Sequence, residues 1–296
     1  MNRSSRSPSS LAADIAIYAV LLLVCIVMIF PYVYVFAVSF TSAQSYVAGE
    51  FILFPRQWSL DAYRYILSTS AFLDSFRATA FIALAGTALS IVFTTSFAYA
   101  VTKKTMPGRN LLLLMLLVTM LFSGGLVPQY LLVEKLGLIN SLWALILPVL
   151  TNAWSVFVVK SFFQSLPDSL EDSAQIDGCN DLVIWYRIIV PLSMPVIAAF
   201  SLFFAVGYWN TYFSGLIYMR DAAKWPLQVL LQQMILQNET NMGNMSVVSF
   251  DPSQAALPPE TIKMAALVVV IAPIILVYPF LQKYFAKGVL LGSVKG

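Results

Sequence analysis

The sequence predicts an all-α polytopic membrane protein with six transmembrane helices, and three observations carry that expectation. The 296 residues are 59% hydrophobic and only 10% charged, against about 25% charged in ordinary soluble domains. Mean hydropathy is +0.81. Six long stretches, 15–49, 78–102, 110–133, 136–159, 188–219 and 264–282, contain no Asp, Glu, Lys or Arg. A spanning helix needs about 20 predominantly apolar residues. A charge near the bilayer centre costs about 2.5–3.5 kcal/mol on insertion scales, so charge-free windows are what a bilayer selects. One such window could be a buried helix of a soluble protein, but six in this composition argue for a membrane.

Residues 1–11 are basic and Ser-rich, with no small-residue cleavage site in the apolar run that follows, and read as a disordered tail before an uncleaved first span. The transmembrane domain then covers 12–287, and 288–296 form a C-terminal tail. After the first span, the segment around 40–76 is an outward connection, with Trp58, Tyr63 and Tyr65 between Phe51 and Asp74. The second window ends at a short connection holding Lys103, Lys104 and Arg109 and no acid. Together with Arg3, Arg6, Lys283, Lys287 and Lys295, these basic residues place both termini in the cytoplasm by the positive-inside rule. In the third window Gly124-Gly125 reads as a helix break at the membrane edge, and Glu134 marks a short outward turn. Pro128, Pro148, Pro195, Pro273 and Pro279 are expected to break or bend spans, while Pro191 suits the start of the fifth. The long outward loop 216–261 opens with a helix over Trp225 to Gln237, carrying Leu227, Leu230, Leu231, Met234 and Ile235 along one side. It continues through an irregular stretch from Asn238 to Ser249, where Asn238-Glu239-Thr240 is a chance sequon, and then Pro252, Pro258 and Pro259. Trp58, Trp143 and Trp225 look like interface anchors.

The inward loop 166–190 interrupts this apolar background. Asp168, Glu171 and Asp172 are expected in the first turn of a short helix, where they complement its dipole and Ser169 can act as N-cap. A polar, acidic face lies over Leu170, Ala174 and Ile176, and Gly178 supplies a left-handed stop. Asn180 or Asp181 can cap a second helix carrying Leu182, Trp185, Tyr186 and Ile189 back toward the bilayer.

No catalytic residue is predicted. The chain has no histidine, which removes the commonest general base and metal ligand. It has no G-x-x-x-x-G-K-[ST] phosphate loop, no G-x-S-x-G elbow and no paired intramembrane carboxylates. Cys25 lies in the first span and Cys179 in the inward loop, so neither a disulfide nor a metal-ligand spacing arises. The net charge of +3 is topological, and no basic run interleaved with aromatics suggests nucleic acid. A transporter with neither a phosphate loop nor paired intramembrane carboxylates must take its energy from another chain, and a short acidic-faced helix has the size and polarity to dock in a groove of a separate ATPase. The alternative, a re-entry element lying at the lipid headgroups, fits less well because interfacial helices usually present Lys and Arg.

The loop also resembles the "EAA" loop of permease subunits in binding-protein-dependent ABC importers, whose signature is Glu-Ala-Ala, three residues, Gly, nine residues, Ile, one residue and Leu-Pro. Asp172 falls on the Glu, Ser173 and Ala174 on the alanines, Gly178 on the glycine, Ile188 on the isoleucine and Val190-Pro191 on the Leu-Pro. Leu170-Glu171 through Ile176-Asp177-Gly178 and Gly207-Tyr208-Trp209-Asn210 are similar to the carbohydrate-importing branch, and Gly124 through Leu147 to a subgroup that handles oligosaccharides, including alginate fragments. The resemblance extends from about Ile15 to the C-terminus. It implies a bacterial inner-membrane permease in which Leu170, Glu171, Asp172, Ser173, Ala174, Ile176, Asp177 and Gly178 couple to an ATPase. The implied partners are a second, non-identical permease, two ATP-binding subunits holding ATP and Mg, and an extracytoplasmic solute-binding protein that meets the 216–261 loop. This chain would hold no cofactor itself.

Polar and aromatic residues within the fourth and fifth windows, Asn152, Trp154, Tyr208, Trp209, Asn210 and Tyr212, are candidate substrate-pathway residues. Amides and aromatic faces are what a sugar ring requires, and an amide in hydrocarbon needs a partner or a wet cavity. These residues could instead form an interfacial belt and helix-to-helix bonds. Three rivals stand beside the carbohydrate importer: an ABC permease for another solute, an ATP-independent carrier or channel, and a membrane scaffold.

Overall fold

The structure, a computed structural model, describes residues 8–239 and 257–292. The segment holding Thr240 to Ser249 and Pro252, most of the N-terminal tail and residues 293–296 lie outside the described residues. Regular structure among the described residues is helical, apart from one bridge between Thr41 and Trp58. The helices run α1 (Pro8–Ser39), α2 (Asp61–Ser68), α3 (Ser70–Thr102), α4 (Arg109–Leu121), α5 (Leu126–Lys135), α6 (Ala153–Phe163) and α7 (Asp168–Ile176). They continue with α8 (Asp181–Ile184), α9 (Val190–Leu192), α10 (Met194–Trp209), α11 (Phe213–Tyr218), α12 (Leu227–Glu239) and α13 (Pro259–Gly292).

The chain divides into two compact units, residues 1–69 with 237–271 and residues 70–236 with 272–296. In the first, α1 is so uniformly apolar that its most hydrophobic stretch, within Asp14–Ser39 at a mean hydropathy of 2.7, buries nothing. Its C-terminal end packs, where Ala37 and Val38 join Ile52 under Tyr34, Tyr46 and Met264, and the Phe30 and Tyr34 rings stack on Phe51 at 5.5 and 5.1 Å. Ser39 and Tyr63 hydroxyls bond at 2.7 Å, and the Phe40 ring contacts Trp58 and Tyr63 at 5.8 and 4.8 Å.

The second unit is organised on α3. Its buried positions recur every three or four residues, through Ser75, Thr79, Ile82, Gly86, Ser90 and Thr94 to Ala98, and most are small. Small side chains let helix backbones approach closely in lipid, where apolar burial gives no drive to associate. α10 and α6 pack along this stripe. Hydroxyls on it join the neighbours: Ser90 to Tyr208 at 2.9 Å, Thr94 to Thr151 at 2.8 Å, and Thr79 Oγ1 accepting from Leu227 N–H at 2.8 Å.

The six charge-free windows take three forms. Asp14–Ser39, Ser70–Thr102 and Pro259–Val277 are continuous apolar helices, and Pro273 and Pro279 lie inside α13 without ending it. The fourth and fifth windows are bent, by 53° between Leu142–Val149 and Ala153–Phe163 and by 85° between Asp181–Leu192 and Met194–Trp209. Pro148 sits in the 3-10 turn before the first bend. Pro195, which has no N–H to continue the ladder, follows the second at Ser193. The third window departs from the expectation of one span with a break at its edge. α4 stops at Leu121, Phe122 is extended, and α5 restarts after Gly125 at φ 82°. The 13 residues of α4 rise only about 20 Å, short of the roughly 30 Å hydrocarbon core.

Candidate functional site

Local chemistry sets both ends of α7. Pro167, at φ −62° and ψ 128°, turns the chain into the helix at Asp168, and no side chain caps that end. Ser169 is therefore the second helical residue and not the N-cap expected from sequence; its carbonyl accepts from Ser173 Oγ at 2.7 Å. Asp168 and Glu171 occupy the first turn, with Asp172 beyond it. At the other end Gly178 is left-handed at φ 82°. Cys179 N–H donates to Ala174 O and Gly178 N–H to Gln175 O, both at 3.0 Å, the paired bonds of a glycine-terminated helix. Asn180 then caps α8, its Oδ1 accepting from Val183 N–H at 2.9 Å. The chain continues through a π turn, Trp185–Ile189, into α9 and the bend at Ser193.

The helix does not bury the side anticipated. Ala174 is buried, but Leu170 and Ile176 are exposed, Ile176 at 86%. Nine residues make only two and a half turns, and Ala174 is the one residue of α7 that is buried. Asp168, Asp172, Ser173, Asp177 and Gly178 are exposed as well. So is Leu182 at the start of α8, at 71%. The result is a projecting surface of carboxylates around bare aliphatic side chains.

Glu171 turns the other way. Its carboxylate pairs with Lys103, one residue beyond the end of α3. Lys103 Nζ also lies 3.2 Å from Asp181 Oδ1 and 4.7 Å from the centre of the Tyr99 ring. Burial pulls the ammonium down, but contacts with Glu171, Tyr99 and Asp181 outweigh it and hold its pKa above the ordinary lysine value. Sequence reasoning gave Lys103 only a topological role. Its partners stand 68 and 78 positions away, and the one local signal was its place beside a helix end.

The six pathway candidates do not form one group. Asn152, Trp154, Tyr208 and Tyr212 line a cavity of about 430 Å³ with Phe203 and Thr211. Asn152 Oδ1 is spent on capping α6, accepting from Ser155 N–H at 2.9 Å and Ser155 Oγ at 3.0 Å. Tyr208 is buried, with its hydroxyl on Ser90. Trp154 is half-exposed, its ring tilted against Phe200 at 5.3 Å between centroids. No partner among the described residues takes up its indole N–H or the Tyr212 hydroxyl. Trp209 instead lines a separate apolar cavity of about 520 Å³ between α3, α10 and α13, edge-on to Phe76. Asn210, at the exposed end of α10, accepts from Gln228 Nε2 at 3.1 Å. Among the described residues no three His, Cys, Asp or Glu side chains stand together as a metal would need.

A family model described as binding-protein-dependent transport system inner membrane component matches residues 110–291. A polygalacturonan/rhamnogalacturonan transport system permease protein of Bacillus subtilis (strain 168) is 48% identical over 283 residues, which are 96% of this chain and 98% of that one. The crystal structure of a bacterial ABC transporter involved in the import of the acidic polysaccharide alginate contains a chain with 29% identity and a TM-score of 0.87, covering 95% of this chain and 99% of that one. A second structure, of a bacterial alginate ABC transporter in complex with an alginate pentasaccharide-bound periplasmic protein, shares the fold at a TM-score of 0.56 and 14% identity, over 94% of this chain and 96% of that one.

Proposed function

The chain belongs to the binding-protein-dependent transport system inner membrane component family, and from that premise we propose that it forms half of the path by which an ATP-driven importer admits an acidic oligosaccharide. It is a transport subunit, and its path is completed by a second permease chain, related but not identical. Two ATP-binding subunits hold ATP and Mg and hydrolyse it on the cytoplasmic side, where both termini lie. An extracytoplasmic binding protein delivers the sugar to the opposite face, which includes the segment 216–261.

The observation that carries this proposal is the construction of α7. A helix too short to be stable alone is fixed by Pro167 and Gly178 and projects Asp172, Ile176 and Asp177 from the body. Exposed aliphatic side chains ringed by carboxylates suit a groove with an apolar floor and a basic rim. Leu170, Glu171, Asp172, Ser173, Ala174, Ile176, Asp177 and Gly178 then form the coupling element, most by contact, Ala174 and Glu171 by holding the helix to the body. The likeness to polygalacturonan and alginate transporters supports an acidic sugar. Within this chain Trp154 and Tyr212 offer an aromatic face and a hydroxyl to it, while Asn152 and Tyr208 shape the cavity wall. Trp209 and Asn210 act through packing and the link to Gln228.

The test is reconstitution of the purified complex with a binding protein and a panel of neutral and uronate oligosaccharides. Loaded binding protein is expected to raise ATP hydrolysis and drive uptake, with uronate oligomers preferred. Uptake without nucleotide would instead identify a carrier, and preference for a non-sugar would overturn the substrate class.

A further inference from the structure

α7 meets the rest of its unit through few groups, and one of them is an ion cluster. Lys103 sits at the C-terminal end of α3, where the helix dipole favours a cation. It grips Glu171 of α7 and Asp181 of α8 together, above the Tyr99 ring. The connection that carries it is pinned as well, because Arg109 Nε donates to Val101 O at 2.8 Å. The side chains of Lys103 and Glu171 are only 20% and 26% exposed, so solvent screens this pair less than a surface pair. Its neighbour Lys104 is exposed.

α3 extends from this cluster to the cavity. Its 33 residues rise about 50 Å. Two turns or more from Lys103, Thr94 bonds Thr151 and Ser90 bonds Tyr208, which lines the cavity wall. A displacement of α7 therefore has a continuous route to the cavity: Glu171, Lys103, the rigid body of α3, then Ser90 and Tyr208.

We propose that Lys103 is a positioning residue for transport, the tie through which movement of α7 is delivered to α3 rather than lost in the loop. This rests on the proposed function above, since only a driven α7 has movement to deliver. A charge needed for topology alone would serve equally well at position 104. A tie must reach Glu171, and Lys103 does.

The experiment uses the whole complex in proteoliposomes and reads solute moved per ATP hydrolysed, with loaded binding protein outside. For Lys103→Met, nucleotide hydrolysis is expected to continue while solute per ATP falls about tenfold. Lys103→Arg, which keeps charge and reach, restores the ratio, and Lys104→Met, which removes the same charge from the same connection, leaves it unchanged. An unaltered ratio in Lys103→Met overturns the proposal. So does an equal fall in Lys104→Met, or a parallel loss of hydrolysis and uptake that leaves the ratio intact. Should Lys103→Met fail to assemble, Glu171→Gln, which removes one anionic arm of the cluster, is read by the same ratio. A wild-type complex without ATP-driven uptake would bring down the importer assignment itself, whereas a coupled wild type with an unaltered Lys103→Met ratio brings down the tie alone.

Discussion

The ring of Tyr208 occupies the space over Gly86: three of its carbons lie 2.7 to 2.8 Å from where a β-carbon on that glycine would stand. Only glycine permits α3 and α10 to approach this closely, and the approach delivers the Tyr208 hydroxyl to Ser90. Gly86→Ala should force the ring out and cost about 1–3 kcal/mol, the usual penalty for overpacking. Tyr208→Phe, which removes the Ser90 hydrogen bond and a long 3.5 Å contact to the Ile146 carbonyl, should cost only about 0.6 kcal/mol. Thermal unfolding of the detergent-solubilised protein ranks the two, and equal shifts would refute the close contact.

Gly178 shows the opposite situation. Nothing lies within 4 Å of a β-carbon added there, yet its φ is +82°, so the penalty for a side chain is conformational, about 1–2 kcal/mol. Gly178→Val should abolish most uptake while membrane insertion survives, and Gly178→Asn, which tolerates left-handed backbone, should be milder. Unchanged uptake in the valine variant would count against a coupling role for α7.

Trp154 and Trp209 should separate by phenotype. Trp154→Ala removes a half-exposed ring from the cavity wall and should raise the KM for uptake about fivefold, the equivalent of about 1 kcal/mol of ring contact. Trp209→Ala opens a space beside Phe76 and should lower thermal stability with little change in KM. Uptake kinetics and melting curves on both variants decide it, and a shared effect would show that the two cavities act as one.

The Lys103 cluster makes a pH prediction. Its folded pKa is raised above the ordinary lysine value, so its contribution is fully present below that ordinary value and declines only as pH climbs through the raised one. The difference in stability between wild type and Lys103→Met should therefore stay constant from roughly pH 6 to 9, below the ordinary lysine pKa of about 10.4, and shrink only in stronger alkali. A difference that fades between pH 7 and 9 would show that the ammonium is not held by these partners.

What could be read in advance was local. Gly178 as a helix stop, Asn180 as a cap and the helix after Trp225 depend on residues within a turn or two, and each is present. Pro148 and Pro195 lie beside the two bends. The start of α7 was misplaced because Pro167, with its fixed φ, competes with Ser169 for the boundary and wins. Polarity put Leu170, Ala174 and Ile176 together beneath an acidic face, but in so short a helix only the small Ala174 of the three is buried. Trp209 and Asn210, adjacent in sequence to Tyr208, diverge from it because successive helical residues point about 100° apart. Lys103 was out of reach altogether, since its partners are brought to it only by the packing of α7 and α8 against the end of α3.

α7 as the surface that an ATPase grips is open to a crosslinking measurement. In a chain with Cys25 and Cys179 both replaced by serine, Ile176→Cys places a single thiol at an 86% exposed position on α7. Crosslinking this variant within the assembled complex should capture a nucleotide-hydrolysing subunit, with the thiol shielded from impermeant reagents added outside intact cells. Labelling from the outside, or capture of no nucleotide hydrolase by that thiol, would contradict an ATP-driven permease working through this helix.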